Sequence, residues 1–497
     1  NLANLGARFA DHLDATRPED AGDWAGCLVA LARLERAIEE VFDGPGVEGH
    51  DGDFAERLAG IDSSLPVLEQ ARGVYIWDKD GRRYLDGSSG AMVCNIGHSN
   101  PNVLAAMQRQ MEKATFGYRL HFETEASETL AARLSALMPE GLSRVFFVSG
   151  GSEAVESAMK LARQHALATG QPKRWKIFSR APSYHGCTLG ALAVTSYTPL
   201  TKPFEPMMQA MPKVPAPRAY LDGLDPDDPE TGRHYADMLE AAIEAEGPET
   251  VAAFIVEPVG GASTGALVPP AGYMERVREI CTRHGVLLIL DEVMTGAGRT
   301  GRFLGCEHWG TRPDIVVMSK GLGAGYAPLG AMIVDEKLVD PVLDAGGFAH
   351  GFTYAGNPLA CAAGLGVLDE LARQDLCANA ETMGEALMAR LHGLMQKHEL
   401  IGDVRGKGLL TAFELMADRE TKAPLPAHLN AHQRLVDLAY ERGLIVYSRR
   451  TRDGTEGDHI LVCPPLILEP AHLDEIVEGL DASLTALAHD LAPALRG

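Results

Sequence analysis

Apolar residues follow two different rhythms along this chain. Residues 1 to about 50 repeat them at three- and four-residue steps, as in "WAGCLVALARLERAIEEVF", the period of one helix face. Asp43–Phe54 ("DGPGVEGHDGDF") interrupts the pattern with Gly and Asp and reads as a linker. From about residue 70, "GVYIWDKDGRRYLDGSSG" alternates around Asp80-Gly81, which predicts a hairpin. Helical patterns then alternate with short, continuous apolar runs: "RVFFVSG" (Arg144–Gly150), "VAAFIVEP" (Val251–Pro258), "GVLLILDEV" (Gly285–Val293) and "DIVVMSKG" (Asp314–Gly321). Unbroken runs suit strands covered on both faces, hence a largely parallel α/β sheet. The tail from about residue 385 opens with a helix ("GEALMARLHGLMQKH"). It continues through "VRGKGLLTAFEL", "RGLIVYS" and "HILVCPPLIL" to a last helix, the order of a smaller α+β unit.

Composition narrows the class. A chain of 497 residues exceeds one ordinary core and predicts two or three packed units. With 46% hydrophobic and 23% charged residues, it has the balance of a soluble globular protein. A net charge of -23, from 68 acidic against 45 basic residues, repels phosphate backbones and anionic lipid. Nucleic acid and membrane surfaces are therefore not expected partners, and no apolar run reaches the roughly 18 residues of a membrane span. The eight cysteines are scattered without a C-x-x-C pair, so neither a zinc site nor a disulfide framework is expected. Reduced thiols in a cytoplasmic protein are the simplest reading. No signal-peptide pattern is legible, and the chain begins at Asn1 rather than Met.

Ligands of open parallel sheets sit beyond the carboxyl ends of the strands, so the four run ends are where chemistry is expected. The first enters "SGGSEAVESAMKLARQH", where Gly150, Gly151 and Ser152 precede a helix. Small residues and a helix N-terminus suit a phosphate, and equally a plain capped turn. The second run ends at Glu257. The third ends at Asp291 and Glu292, and a carboxylate there suits a protonated pyridine nitrogen. The fourth ends at Lys320 in "SKGLGAGYAPLGAM", where a desolvated amine can condense with an aldehyde. "SYHGCTLG" follows the strand-like "WKIFS" and offers Tyr184 and His185. Thr353 and Tyr354 stand in a turn before a small-residue helix, where a hydroxyl binds phosphate or caps the helix. Taken singly each residue has an ordinary structural reading; the set, in this chain order, does not. No P-loop, G-x-S-x-G or H-E-x-x-H pattern competes.

From about residue 70 to 490 the chain resembles the class III, fold-type I, pyridoxal-phosphate-dependent aminotransferases, the group of ω-amino acid:pyruvate and 4-aminobutyrate transaminases. The motifs that carry the resemblance are "LLILDEVMTGAGRTGRF", "PDIVVMSKGLGAGYAPLGAM", "SGGSEAVESAMKLAR", "SYHG" and "GFTYAGNPLACAAG". It implies a large, mostly parallel sheet domain over 121–384, with a smaller α+β domain built from 61–120 and 385–497. Residues 1–60 are expected to form a helical extension to this frame. It further implies that Lys320 holds pyridoxal 5'-phosphate as a Schiff base and moves the proton. Asp291 pairs with the pyridine nitrogen, with Val293 beneath the ring if the strand stays extended, Tyr184 above it and His185 nearby. Gly151 and Ser152 hold the phosphate with Thr353 of a second subunit, so a homodimer is implied, and Glu257 matches an acid near the cofactor. The substrates would be a small-molecule amine and a keto acid such as pyruvate. Arg450, in the basic loop with Arg449 and Arg452, is the candidate for their carboxylate. The chain departs from relatives at Met92, where many carry Trp, and at Gly150, where many carry Ser or Thr. Racemisation, amino migration and decarboxylation use the same scaffold and stay open, as does an aminotransferase module of a larger protein.

Overall fold

The computed structural model describes residues 65–495. The chain divides into two units, Asn1–Val67 and Leu68–Gly497. The expected helical extension and the Asp43–Phe54 linker lie outside the described residues.

The second unit begins with β1 (Leu68–Arg72), β2 (Tyr75–Asp78) and β3 (Arg83–Asp86), an antiparallel meander. The β2–β3 turn is the expected hairpin. Asp78 stabilises it by accepting the backbone N–H groups of Asp80 and Arg82 at 3.1 and 2.9 Å.

Seven strands form the central sheet: β4 (Leu142–Val148), β5 (Lys176–Ala181), β6 (Lys213–Pro215), β7 (Val251–Val256), β8 (Leu287–Asp291), β9 (Ile315–Met318) and β10 (Gly330–Asp335). Their order is β4-β10-β9-β8-β7-β5-β6. The pairs from β9 through β6 are parallel, and β10 alone runs against its neighbours. The unbroken apolar runs follow from cover on both sides. Ala253 and Ile255 of β7 pack with Ala154, Val155 and Ala158 of α1 (Gly151–Ala168). Phe254 and Val256 point the other way, into the core that holds Tyr273, Met274 and Val277 of α2 (Tyr273–His284).

A third sheet follows α3 (Pro358–Arg373) and α4 (Leu376–Lys397). It contains β11 (Ile401–Lys407), β12 (Leu410–Asp418), β13 (Ala423–Pro424), β15 (Tyr447–Arg449) and β16 (Asp458–Val462). Between them β14 (Leu444–Ile445) adds to β3 in parallel, so the first and last parts of this unit share one sheet.

One buried cation binds several of these segments. Arg299 donates to the carbonyls of Leu409 and Pro464, to Ser89 Oγ at 3.1 Å and to Asn95 Oδ1 at 2.8 Å. Asn95 in turn donates to Ala297 O. Removing the guanidinium leaves those acceptors buried without donors. We therefore expect Arg299→Met to destabilise the fold by about 2–4 kcal/mol. Chemical denaturation should show this; a loss under about 0.5 kcal/mol would contradict the clamp.

Candidate active site

Sheet order brings four ionisable side chains into one row. Lys320, Asp291, Glu257 and Arg180 stand at the carboxyl ends of β9, β8, β7 and β5, which are successive neighbours. Parallel strands lie about 4.8 Å apart, so a cation, two acids and a second cation face one low-dielectric edge. Asp291, Glu257 and Arg180 are buried. His185, also buried, bonds Asp291 Oδ2 through Nδ1 at 2.7 Å. Glu257 accepts the Gly261 N–H at 3.0 Å and lies 3.4 Å from Arg180 Nη2. Burial pushes the Glu257 carboxyl up, against the pull of His185 and Arg180.

Lys320 closes the row in a strained conformation. Its φ of 40° is left-handed, uncommon for a side chain larger than glycine. Gly321 follows because any Cβ there would strike the Asn95 amide, which Arg299 holds in place. Lys320 is partly exposed to solvent, yet protein surrounds it closely enough that burial lowers its proton affinity below that of an ordinary lysine. Asp291 and Glu257 oppose that shift. A weakly basic amine with a free lone pair is what condensation with an aldehyde requires.

Across the sheet, α1 begins directly after β4, and Gly150, its N-cap residue, provides no side-chain cap. The first backbone N–H groups are thus left for an anion. A Cβ at Gly150 would meet nothing within 4 Å, so the turn faces open space. Ser152 Oγ accepts the Cys187 N–H at 3.0 Å, tying the Tyr184–Cys187 loop to the helix end and leaving its own proton to donate. An uncapped helix end, a buried carboxylate and a weakly basic amine, all on one sheet edge, fit a phosphorylated aldehyde with a basic ring.

Several expectations need correction. β8 stops at Asp291, because Asp291 Oδ1 accepts the Val293 N–H at 3.1 Å and turns the chain. Val293 is therefore not on an extended strand; its methyl groups lie 3.0 and 3.2 Å from where a Gly151 Cβ would stand. Thr353 is exposed and does not cap α3; Asn357 does, accepting the Ala360 N–H. Met92 is 2% exposed and packs with Met294, Leu410 and Cys463, so it is a core residue. Arg450 is committed elsewhere: its guanidinium donates to Thr455 O, Ala427 O and Asn430 Oδ1. Arg452 is likewise bound to Lys422 O. Arg449 is the exposed one, its guanidinium 4.9 Å from the Tyr447 ring centroid and in electrostatic reach of Tyr184.

Sequence reasoning missed two residues. Arg180 ends the strand that "WKIFS" signals, so the rule that exposed the other three ends would have found it. Glu292, which the sequence shows only as the acid following Asp291, accepts the N–H groups of Gly305 and Cys306 at 2.8 and 2.9 Å and the Thr295 hydroxyl, and so braces the loop beyond β8.

Residues 60–484 match the family model described as aminotransferase class-III. An uncharacterised aminotransferase of Bacillus subtilis is 39% identical, over 87% of this chain and 97% of its own. A taurine–pyruvate aminotransferase of Rhodobacter capsulatus is 36% identical, over 85% of this chain and 92% of its own. The structure is similar to that of an amine transaminase from an uncultivated Pseudomonas species in its pyridoxal-phosphate-bound form. That pair has a TM-score of 0.80 and 37% identity, covering 85% of this chain and 95% of that one. The chain belongs to the class-III aminotransferase family, and is a pyridoxal-phosphate enzyme that transfers amino groups to keto acids.

Proposed function

We propose that Lys320, Asp291 and the Gly150–Ser152 turn form the reactive centre, and that pyruvate is the amino acceptor. The observation that carries this reading is the Lys320–Asp291–Glu257 row on adjacent strand ends, facing the same edge as an uncapped helix. When bound, pyridoxal phosphate supplies the aldehyde and the electron sink for a carbanion at the donor carbon. Asp291 holds the ring nitrogen protonated, with His185 fixing its carboxylate. Gly151 and Ser152 would hold the phosphate, and Tyr184 and Val293 would cover the two ring faces. Lys320 Nζ would take the proton from the donor carbon and redeliver it. Burial, which lowers its proton affinity, favours that task.

Arg449 takes the place foreseen for Arg450 as the cation for the keto acid's carboxylate, because its guanidinium is exposed over Tyr447 while Arg450 and Arg452 are engaged. Pyruvate as acceptor rests on the named substrate of the Rhodobacter relative. The seven cysteines among the described residues are free, in accord with a reducing cytoplasm.

A second copy completes the site. Leu120 is 73% and Phe122 71% exposed, and Phe116 packs its ring against Tyr354, 62% exposed and beside Thr353. A cluster of large apolar side chains next to an exposed phosphate-binding candidate suits a homodimer in which Thr353 reaches the partner's phosphate.

Three experiments follow. Cofactor-loaded protein given an amine donor and pyruvate should form alanine; loss of carbon dioxide or racemisation without amino transfer would favour the other reactions of this scaffold. Arg449→Ala should raise the KM for pyruvate about 10- to 100-fold with little change in kcat, the loss of one charge-assisted pair. An equal effect from Arg450→Ala alone would reverse the assignment. Third, Phe122→Asp should shift the sedimentation profile from dimer to monomer and weaken cofactor binding at least tenfold. A monomer that kept full affinity would remove the shared phosphate site.

A further inference from the structure

Arg180 is among the largest fully buried side chains of the described residues, and the chemistry above does not use it. Burying a guanidinium costs several kcal/mol unless its partners compensate. Its compensation is partial. Nη2 donates to the Glu257 backbone carbonyl at 2.8 Å and to its carboxylate at 3.4 Å, whereas Nε and Nη1 have no hydrogen-bond partner among the described residues. Tyr273 of α2 is the phenol packed beside it. A plain brace between β5 and β7 needs no charge, since an apolar side chain of similar size would pack there without the desolvation cost. What the charge adds falls on Glu257.

The groups around Glu257 are Arg180 on β5, His185 beyond β5, Asp291 on β8 and the Gly261 N–H. Around Lys320 they are Asp291, Glu257, Cys463 and Arg299. Burial and Asp291 both drive Glu257 toward its neutral form, while Arg180 and His185 hold it ionised. As a carboxylate it favours a proton on the Lys320 nitrogen; as a neutral acid it does not.

We propose that Arg180 is a positioning residue that keeps Glu257 a fixed carboxylate and, through it, sets the protonation of the Lys320 nitrogen. The inference rests on the site assignment of the previous subsection. It also makes a prediction of sign. Acting directly, loss of a cation would make the Lys320 nitrogen easier to protonate. Acting through Glu257, which stands one strand nearer to Lys320, the same loss neutralises an acid and makes protonation harder.

The test is a pH titration of the visible absorbance of the cofactor-loaded enzyme, with apo-protein melting recorded separately. Arg180→Met should lower the absorbance midpoint by roughly one pH unit. Glu257→Gln should lower it as well, and the double variant should go no lower than Glu257→Gln alone, because one residue acts through the other. Arg180→Lys should recover part of the shift, since it keeps the charge without the guanidinium's bonds to both the Glu257 backbone carbonyl and its carboxylate. If Arg180→Met does not fold, the smaller downward shift of Arg180→Lys carries the same sign. An upward or absent shift in either Arg180 variant, or a double-variant shift equal to the sum of the singles, would overturn the proposal. An unmoved midpoint in Glu257→Gln would remove the site assignment, and the inference with it.

Discussion

The site depends on the spacing of hydrogen-bonded parallel strands. Two carboxylates on neighbouring strand ends, about 4.8 Å apart, repel by roughly 3 kcal/mol at an effective dielectric of 20. Asp291 and Glu257 occupy such positions and are buried, so the fold must supply charge to hold them. It does so from outside the pair, with Arg180 on Glu257 and Lys320 beyond Asp291, while the His185 ring hydrogen-bonds the Asp291 carboxylate. A bound ring with a protonated nitrogen adds a further positive charge at that edge. On the proposed assignment, the crowding of two acids at one edge would favour a cationic ring there.

Around this row, polar groups fix backbone rather than react. Arg299 holds Asn95, which leaves room only for glycine at 321 and so shapes the turn at Lys320. Glu292 gathers the loop beyond β8. Glu156 of α1 does the same for the Thr188–Ala191 segment, accepting from the Thr188 hydroxyl and from the N–H groups of Gly190 and Ala191. These braces spare the reactive groups from structural duty. Asp291 is the exception, since one of its oxygens also turns the chain at Val293.

The strands and their chemistry were legible because both follow from local pattern. Unbroken apolar runs mark strands covered on both faces, and a charged residue at the end of such a run has little structural reason to be there. The hairpin at Asp80-Gly81 and the helix at Gly151 were legible for the same reason. Side-chain commitments were not. Nothing in "SRRTRDG" tells which arginine finds carbonyl acceptors twenty residues away, and those acceptors are what remove Arg450 from contention. Asn357 rather than Thr353 caps α3 because the cap is chosen by where the chain turns, one residue before Pro358. Met92 looked like a pocket residue by its place in a motif, yet it is enclosed by segments more than 150 residues distant in the chain.

The central claim is that the Lys320 amine is the one that meets the aldehyde. Weak basicity does not settle this, since burial also lowers the amine of Lys213, on the edge strand β6, to about 8, where it donates to Ala193 O. The direct measurement is borohydride reduction of cofactor-loaded protein followed by peptide mapping. The account predicts a single phosphopyridoxyl adduct on the peptide carrying Lys320, and none in Lys320→Ala. An adduct on Lys213 or any other lysine in the native protein would contradict it.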